Sequence, residues 1–181
     1  KRVIKKNQTE QIQENIYVGP SFQNDEIEQF LTEHKIQFTR LERNKILKET
    51  AKLISEKNVV GWYQGKMEWG PRALGNRSIL ADPRDGNMKD ILNEKIKHRE
   101  SFRPFAPSIL EEYVNEYFDL DISSPYMLLV AKVKKPEIIP AVTHVDGTGR
   151  LQTVSREINS LYYDLIHEFY NLTGVPVVIN T

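Results

Sequence analysis

The chain has 181 residues, 39% of them hydrophobic and 28% charged, and its 25 basic and 25 acidic side chains cancel to a formal net charge of zero. This composition predicts one globular domain of ordinary size, without the charge excess that draws a protein to nucleic acid or to an anionic membrane. The absence of cysteine excludes disulfides, thiolate catalysis and cysteine zinc sites, and the lack of a signal-peptide pattern or an apolar run of roughly 20 residues favours a cytoplasmic location and no membrane partner.

Helix and strand patterns alternate along the chain after a polar segment, residues 1–15, that predicts a linker or frayed end. In chain order, the patterns predict a strand over 16–18, helices over about 26–34 and 43–57, a strand over 59–63, helices over about 87–97 and 108–118, a strand over 126–133, a helix over about 160–171 and a strand over 175–179. Capping residues mark three helix starts: Asp25, the capping-box pair Ser108 and Glu111, and Asn159.

The connections between these elements are too irregular for a repeat of βαβ units, and no internal repeat or second domain is visible. We therefore expect an α/β or α+β fold. It would be a single domain over residues 16–181, with a twisted mixed β-sheet flanked by helices.

Residues 65–78 combine two arginines, a lysine and a serine with three glycines and a proline, directly after a predicted strand. Glycines let the backbone approach a ligand closely, and guanidinium groups bind phosphate or carboxylate through paired hydrogen bonds. One hypothesis is an anion cradle of backbone N–H groups and basic side chains, namely Lys66, Arg72 and Arg77. The alternative is a tight loop whose arginines form salt bridges with Glu68 or Asp82. The block is neither a Walker A loop nor a dinucleotide fingerprint.

A second cationic pair, Lys97 and Arg99, lies where the helix predicted over 87–97 ends. Residues two apart diverge on a helix but share a face on an extended segment. A helix that ended near Ile96 would therefore allow both cations to reach one site. The alternative is a solvated helix terminus, whose cations satisfy the negative end of the helix dipole.

The next segment, residues 102–107, is stiffened by two prolines and carries two aromatic side chains. Phe102 and Phe105 are predicted to belong to the core. Arg103 either binds an anion or clamps the loop to a carboxylate, and Ser108 is predicted to be a helix N-cap.

A third polar block, residues 144–150, contains His144, Asp146, Thr148 and Arg150. Two hypotheses stay open: a metal pair formed by His144 and Asp146, and a turn that presents Thr148 and Arg150. Because a catalytic metal usually takes three protein ligands, we expect no protein-only metal site and favour Arg150 as an anion ligand. His144 is available as a hydrogen-bonding or acid–base group.

Together these blocks resemble the C-terminal domain of the carbamoyltransferases of the nodulation, tobramycin and cephamycin type. The resemblance rests on residues 65–84, 97–108, 144–154 and 173–181, and it extends from about Ile16 to Thr181. It implies a YrdC-like fold and the conversion of carbamoyl phosphate and ATP into carbamoyl-adenylate, with Mg²⁺ held mainly by the nucleotide phosphates. The carbamoyl group would then pass to an acceptor hydroxyl at an N-terminal domain of the same polypeptide, which has an actin-like fold.

The same resemblance implies roles for individual residues. Arg72, Lys97 and Arg150 are expected to be the main phosphate and carbamoyl ligands, and Lys97 with Arg99 matches the Lys-x-Arg pair of YrdC-like sites. The further substrate- or nucleotide-binding candidates are Lys66, Arg77, Ser78, Arg99, Arg103, His144, Asp146, Thr148 and Thr153. The Ser-x-Asn pair of such sites would follow Thr181, so we expect a piece of a longer protein that does not carbamoylate an acceptor alone.

Two other classes of protein stay open. One is a nucleic-acid binder, although zero net charge and the lack of interleaved aromatic and basic residues speak against it. The other is a module that binds nucleotide without catalysis.

Overall fold

The computed structural model describes residues 16–181, so the linker predicted over 1–15 lies outside the described residues. The helices are α1 (Asn24–Glu33), α2 (Arg43–Ser55), α3 (Met88–Ile91), α4 (Val114–Tyr117) and α5 (Ser160–Thr173). The strands are β1 (Val60–Tyr63), β2 (Arg77–Ala81), β3 (Ala106–Leu110), β4 (Val130–Lys132), β5 (Thr148–Arg150), β6 (Gln152–Val154) and β7 (Val177–Asn180). A π-helical turn, Leu92–Lys97, continues α3, and short 3₁₀ turns lie at Glu111–Tyr113 and Pro140–Val142.

Five strands form one mixed sheet in the order β1-β2-β7-β3-β6. β3 and β6 run parallel, whereas the other neighbouring pairs in this sheet are antiparallel. Strands β4 and β5 form a separate antiparallel pair. The expected single domain with a mixed sheet is confirmed.

Helices α2 and α5 pack side by side against the five-stranded sheet. Their buried side chains recur at helical spacing, which places one apolar stripe of each helix in the core; these are Leu47, Ala51 and Ile54 in α2 and Leu165, Ile166 and Phe169 in α5. The predicted N-cap of α5 is confirmed, because Asn159 accepts a hydrogen bond from the Tyr162 N–H. The helix ends two residues after the predicted residue 171, where Gly174 takes the left-handed conformation at φ 71°. Among residues 16–181, no helix has the length and apolar character needed to cross a membrane.

The helix predicted over 108–118 is the largest error. Ala106–Leu110 is instead strand β3, buried along its whole length, and only short helical turns follow it. A short apolar run fits a doubly buried strand as well as a helix, and Ser108 therefore lies inside the sheet and does not cap a helix.

Smaller differences concern element ends. Ile16–Val18 forms no strand, the strand predicted over 126–133 shortens to β4, and α1 begins at Asn24, which puts Asp25 inside its first turn. Strands β2, β5 and β6 were not predicted. β5 and β6 have three residues each and are mostly polar or glycine, whereas β2 has two polar residues followed by three apolar ones, so none of the three shows the apolar alternation that marks a half-buried strand.

Candidate active site

An open cleft of about 620 Å³ lies beside the sheet, where β1 and β2 meet the end of β7 and the start of β3. Its basic lining residues are Arg72, Arg77, Lys97, Arg99 and Arg150, and we call it the cationic cleft. Tyr63, Phe105 and Met127 add apolar or aromatic surface to its walls. This volume and mixture of surfaces are typical of a small-molecule site.

No Asp or Glu side chain lines this cleft. Within the described part of the chain, none of its five cations forms an ion pair with a carboxylate. Five neighbouring positive charges without a counter-ion repel one another, so the site is electrostatically complementary to a polyanion.

The turn after the π-helix places Lys97 and Arg99 in the cleft together. His98, between them, adopts the left-handed conformation with φ 48°, which reverses the chain and prevents the two cations from diverging as they would on a continuing helix. Burial, and then the charge of Arg99, lower the pKa of Lys97. Because both side chains line the cleft together, the site alternative for this pair is favoured over the solvated helix terminus.

Arg99 is fixed by its neighbours. Its Nε donates to Asn93 Oδ1 at 2.7 Å, and its guanidinium lies 4.8 Å from the centre of the Phe105 ring. Burial, and then the charge of Arg103, lower the pKa of Arg99. Phe105 is buried as predicted, whereas Phe102 is 73% exposed, so its assignment to the core is wrong.

The glycine-rich block brings Arg72 and Arg77 to the same cleft. Gly75 has φ 104°, and a Cβ there would lie 2.3 Å from the Tyr162 ring, so the loop packs directly on α5. Buried Glu68 accepts a hydrogen bond from the Leu74 N–H at 2.5 Å. Glu68 thus braces the loop and makes no salt bridge to its arginines. Ser78 also lines the cleft, and its Oγ accepts the Gly75 N–H at 3.0 Å.

Arg150, at the end of β5, is half-buried, and its Nε is buried without a hydrogen-bond partner among the described residues. Burial, and then the charge of Arg72, lower the pKa of Arg150. An unpaired buried donor on a cation is costly, and a bound anion would relieve that cost.

The block around His144 lies outside the cleft. Asp146 Oδ1 accepts from both the N–H and the hydroxyl of Thr148, and His144 Nδ1 lies 3.1 Å from the Thr148 Oγ1. His144 and Asp146 line a neighbouring hollow of about 400 Å³ with Lys89, Phe102, Pro104 and Val145. Among the described residues, no third His, Asp or Glu joins them in a metal-sized cluster. The arrangement is a closed turn, and only Arg150 of this block reaches the cleft.

Three other candidates also lie apart from the cleft. Lys66 is exposed on the loop surface, and Arg103 forms an ion pair with Glu100 at 3.1 Å, which fits the loop-clamp alternative. Thr153 is buried, and its Oγ1 accepts the Ser124 N–H at 2.9 Å. Their proposed ligand roles stay predictions.

Sequence reasoning missed a buried polar cluster behind the cleft, formed by Ser108, Gln152 and Asn180. The available signal was the presence of one uncharged polar residue, Ser108 or Asn180, in each of two otherwise apolar runs, together with the polar pair Gln152 and Thr153 beside Leu151 and Val154. Since buried polar groups are almost always hydrogen-bonded, three such strands predict a shared network.

A family model described as the carbamoyltransferase C-terminus matches residues 51–181. The chain belongs to this family. A relative, the nodulation protein NolNO of Sinorhizobium fredii, is 47% identical over 178 residues, which cover 95% of this chain and 26% of that protein. The chain spans about a third or less of the length of the curated relatives it matches.

Two solved structures share the fold. Sua5 of P. abyssi, in complex with L-threonine, superposes with a TM-score of 0.53 at 18% identity, over 78% of this chain and 39% of that one. Full-length HypF, in its phosphate- and nucleotide-bound form, gives a TM-score of 0.50 at 19% identity, over 75% and 16%. These identities establish the fold alone, and the expected YrdC-like fold is confirmed.

Proposed function

We propose that the cationic cleft binds ATP and carbamoyl phosphate and forms carbamoyl-adenylate. The carbamoyl group would then pass to an acceptor hydroxyl held by the N-terminal domain of a longer polypeptide. The observation that carries the proposal is the convergence of five unpaired cations on one cleft in a domain of the carbamoyltransferase family. The likeness to HypF in its phosphate- and nucleotide-bound form suggests the same class of ligand.

The reaction needs little covalent chemistry from the protein. Carbamoyl phosphate, ATP and one water give carbamoyl-adenylate, phosphate and pyrophosphate, and a carbamate oxygen attacks the α-phosphorus as pyrophosphate departs. Negative charge therefore develops on phosphate oxygens, and fixed cations at those positions lower the barrier. In this proposal Arg72, Lys97 and Arg150 bind the phosphates and the carbamoyl oxygen, and Arg77 and Arg99 extend the binding surface.

The lining of the cleft also suits Mg²⁺ bound through the nucleotide. Because no Asp or Glu side chain lines the cleft, the described residues offer no acidic side chain that would compete with the phosphates for the ion, and phosphate oxygens and water are the ligands that Mg²⁺ commonly keeps. The ion would screen the charge of the polyphosphate. We further propose a biosynthetic role in the cytoplasm, where ATP is supplied.

The test is carbamoyl-phosphate-dependent exchange of labelled pyrophosphate into ATP, measured with the longer polypeptide and with the variant Lys97→Ala. We expect exchange that requires carbamoyl phosphate and that falls at least about a hundredfold in the variant, since loss of one preorganised charge donor is typically of this size. Unchanged exchange in Lys97→Ala would contradict the role given to the cleft. Nucleotide binding without any exchange would favour the non-catalytic module instead.

A further inference from the structure

Arg72 and Arg150 meet in the cleft although they come from distant parts of the chain and carry like charges. Arg72 lies in the glycine-rich loop and Arg150 ends β5. Their repulsion contributes to the lowered pKa of Arg150. Since no Asp or Glu side chain lines the cleft, the scaffold itself must hold the two guanidinium groups together.

One buried side chain joins the two segments. Gln152, only 2% exposed, follows Arg150 by two residues and begins β6. Its Nε2 donates to the Leu74 carbonyl at 2.9 Å, and Leu74 follows Arg72 by two residues. A single amide therefore ties the backbone beside one arginine to the backbone beside the other.

The Oε1 atom of the Gln152 amide accepts hydrogen bonds from two residues of the sheet. Ser108, directly across the parallel β3–β6 pair, donates to Gln152 Oε1 at 2.7 Å. Asn180 Nδ2 lies 3.0 Å from the same oxygen and 3.0 Å from the Ala73 carbonyl, so β7 holds the loop as well. Short hydrogen bonds inside a buried network restrict the motion of every group in it.

We propose that Gln152 is a positioning residue that holds Arg72 and Arg150 in register, so that both guanidinium groups meet one polyanionic ligand. The inference rests on the proposed phosphate-binding function of the cleft and adds a requirement on the ligand: it must present at least two negative groups, as a polyphosphate does. Gln152 contacts no ligand in this account and acts only through the two arginines.

The test compares Gln152→Met with Gln64→Met in the 181-residue chain, by calorimetric titration with ATP and Mg²⁺. Gln64 is the control because its side-chain amide also both accepts and donates, accepting from Trp62 Nε1 at 2.7 Å and donating to Asn159 Oδ1 at 2.8 Å, and it does not line the cleft. We expect Gln152→Met to bind ATP about tenfold more weakly, a coupling typical of one hydrogen-bond network. Gln64→Met should bind ATP as the unaltered chain does.

A double-mutant cycle separates positioning from general stability. In an Arg150→Ala background, Gln152→Met should cause no further loss of ATP affinity, because the pair it aligns is already broken. Should Gln152→Met fold poorly, Gln152→Asn keeps an uncharged amide at this buried position but is one methylene shorter, so it cannot bond Ser108 and Leu74 at once and is expected to show the same weakening.

The outcomes are distinct. If the unaltered chain binds ATP and the Gln152 and Gln64 variants lose equal affinity for it, the positioning role alone is overturned. The same holds if Gln152→Met lowers the affinity by its full factor in the Arg150→Ala background. A chain that binds no ATP overturns the proposed function and this inference together.

Discussion

The arginines of the cationic cleft differ from those elsewhere in residues 16–181. Every described arginine outside the cleft forms an ion pair: Arg40 with Glu28, Arg43 with Asp164, Arg84 with Asp82, Arg103 with Glu100 and Arg156 with Asp164. None of the four described cleft arginines does, although the chain carries as many acidic as basic side chains. Cations that are held close together without counter-ions destabilise the ligand-free protein, and such a cost is common where function requires it.

The largest expected effect is on pyrophosphate exchange, which should depend on a cleft arginine and not on a paired one. Arg150→Ala should lower pyrophosphate exchange in the longer polypeptide by on the order of 10²–10³, because one preorganised donor to a developing charge is removed. The matched control is Arg156→Ala, which removes a 70%-exposed side chain paired with Asp164. Exchange should be unaffected there, and an equal fall in both variants would show that the pairing state of an arginine does not indicate its role.

A second prediction concerns the loop that carries the cleft arginines. Gly75→Ala should lower the free energy of unfolding by about 3 kcal/mol, because the new methyl group overlaps the buried Tyr162 ring and φ 104° is strained for alanine. Chemical denaturation measures the change. Gly86→Ala is the control, since its nearest neighbour would be Pro140 Cβ at 3.9 Å. A stable Gly75→Ala chain would mean that the loop is not held against α5 in this way.

The smallest expected effect is on the free energy of unfolding, where removal of a cleft cation and removal of a paired arginine should differ. Lys97→Met should stabilise the ligand-free chain by at most about 1 kcal/mol, because an unpaired and partly solvated charge is removed from among other cations. Removal of a paired surface arginine, as in Arg40→Ala, should destabilise slightly or have no effect. A Lys97→Met chain less stable than the unaltered one would contradict the view that this charge is a cost.

The difference in unfolding free energy between Lys97→Met and the unaltered chain should depend on pH. The pKa of Lys97 is lowered in the folded state from 10.5, first by burial and then by Arg99. The unfolded chain therefore binds more protons between the lowered pKa and 10.5, and stability rises with pH over that window. The stability advantage of Lys97→Met should accordingly be full below the lowered pKa and shrink as the pH approaches 10.5. The check is the unfolding free energy of both proteins measured against pH. Two parallel curves over that range would contradict a lowered pKa of Lys97 in the folded state.

The sequence predicted the cations of the cleft better than it predicted the buried elements that position them. Arg72, Lys97 and Arg150 lie in blocks that the sequence marks by their glycines, prolines and polar residues. All three line the cleft. The sequence left two alternatives open for Lys97 and Arg99, because the choice depends on His98 taking the left-handed conformation, which histidine adopts more often than most residues but still only in a small minority of cases.

The interior was harder to predict. Ser108 fits a capping box and a buried strand equally well, and only its place opposite Gln152 and Val178 in the sheet decides between them. Thr148 and Asp146 have the composition of a ligand site, yet they hydrogen-bond to each other in a closed turn. The partners of Ser108 are distant in sequence, so the spacing of a single segment does not encode them. The partner of Thr148 is local, but composition alone does not show whether such a turn binds a ligand or only itself.

A crystal structure of the chain with ATP and Mg²⁺ would show whether the cleft cations bind the phosphates of a nucleotide. We expect polyphosphate density within hydrogen-bond distance of Arg72 and Arg150, with Lys97 or Arg77 completing the contacts. Nucleotide density in the hollow beside His144, with the cationic cleft occupied only by solvent, would contradict it.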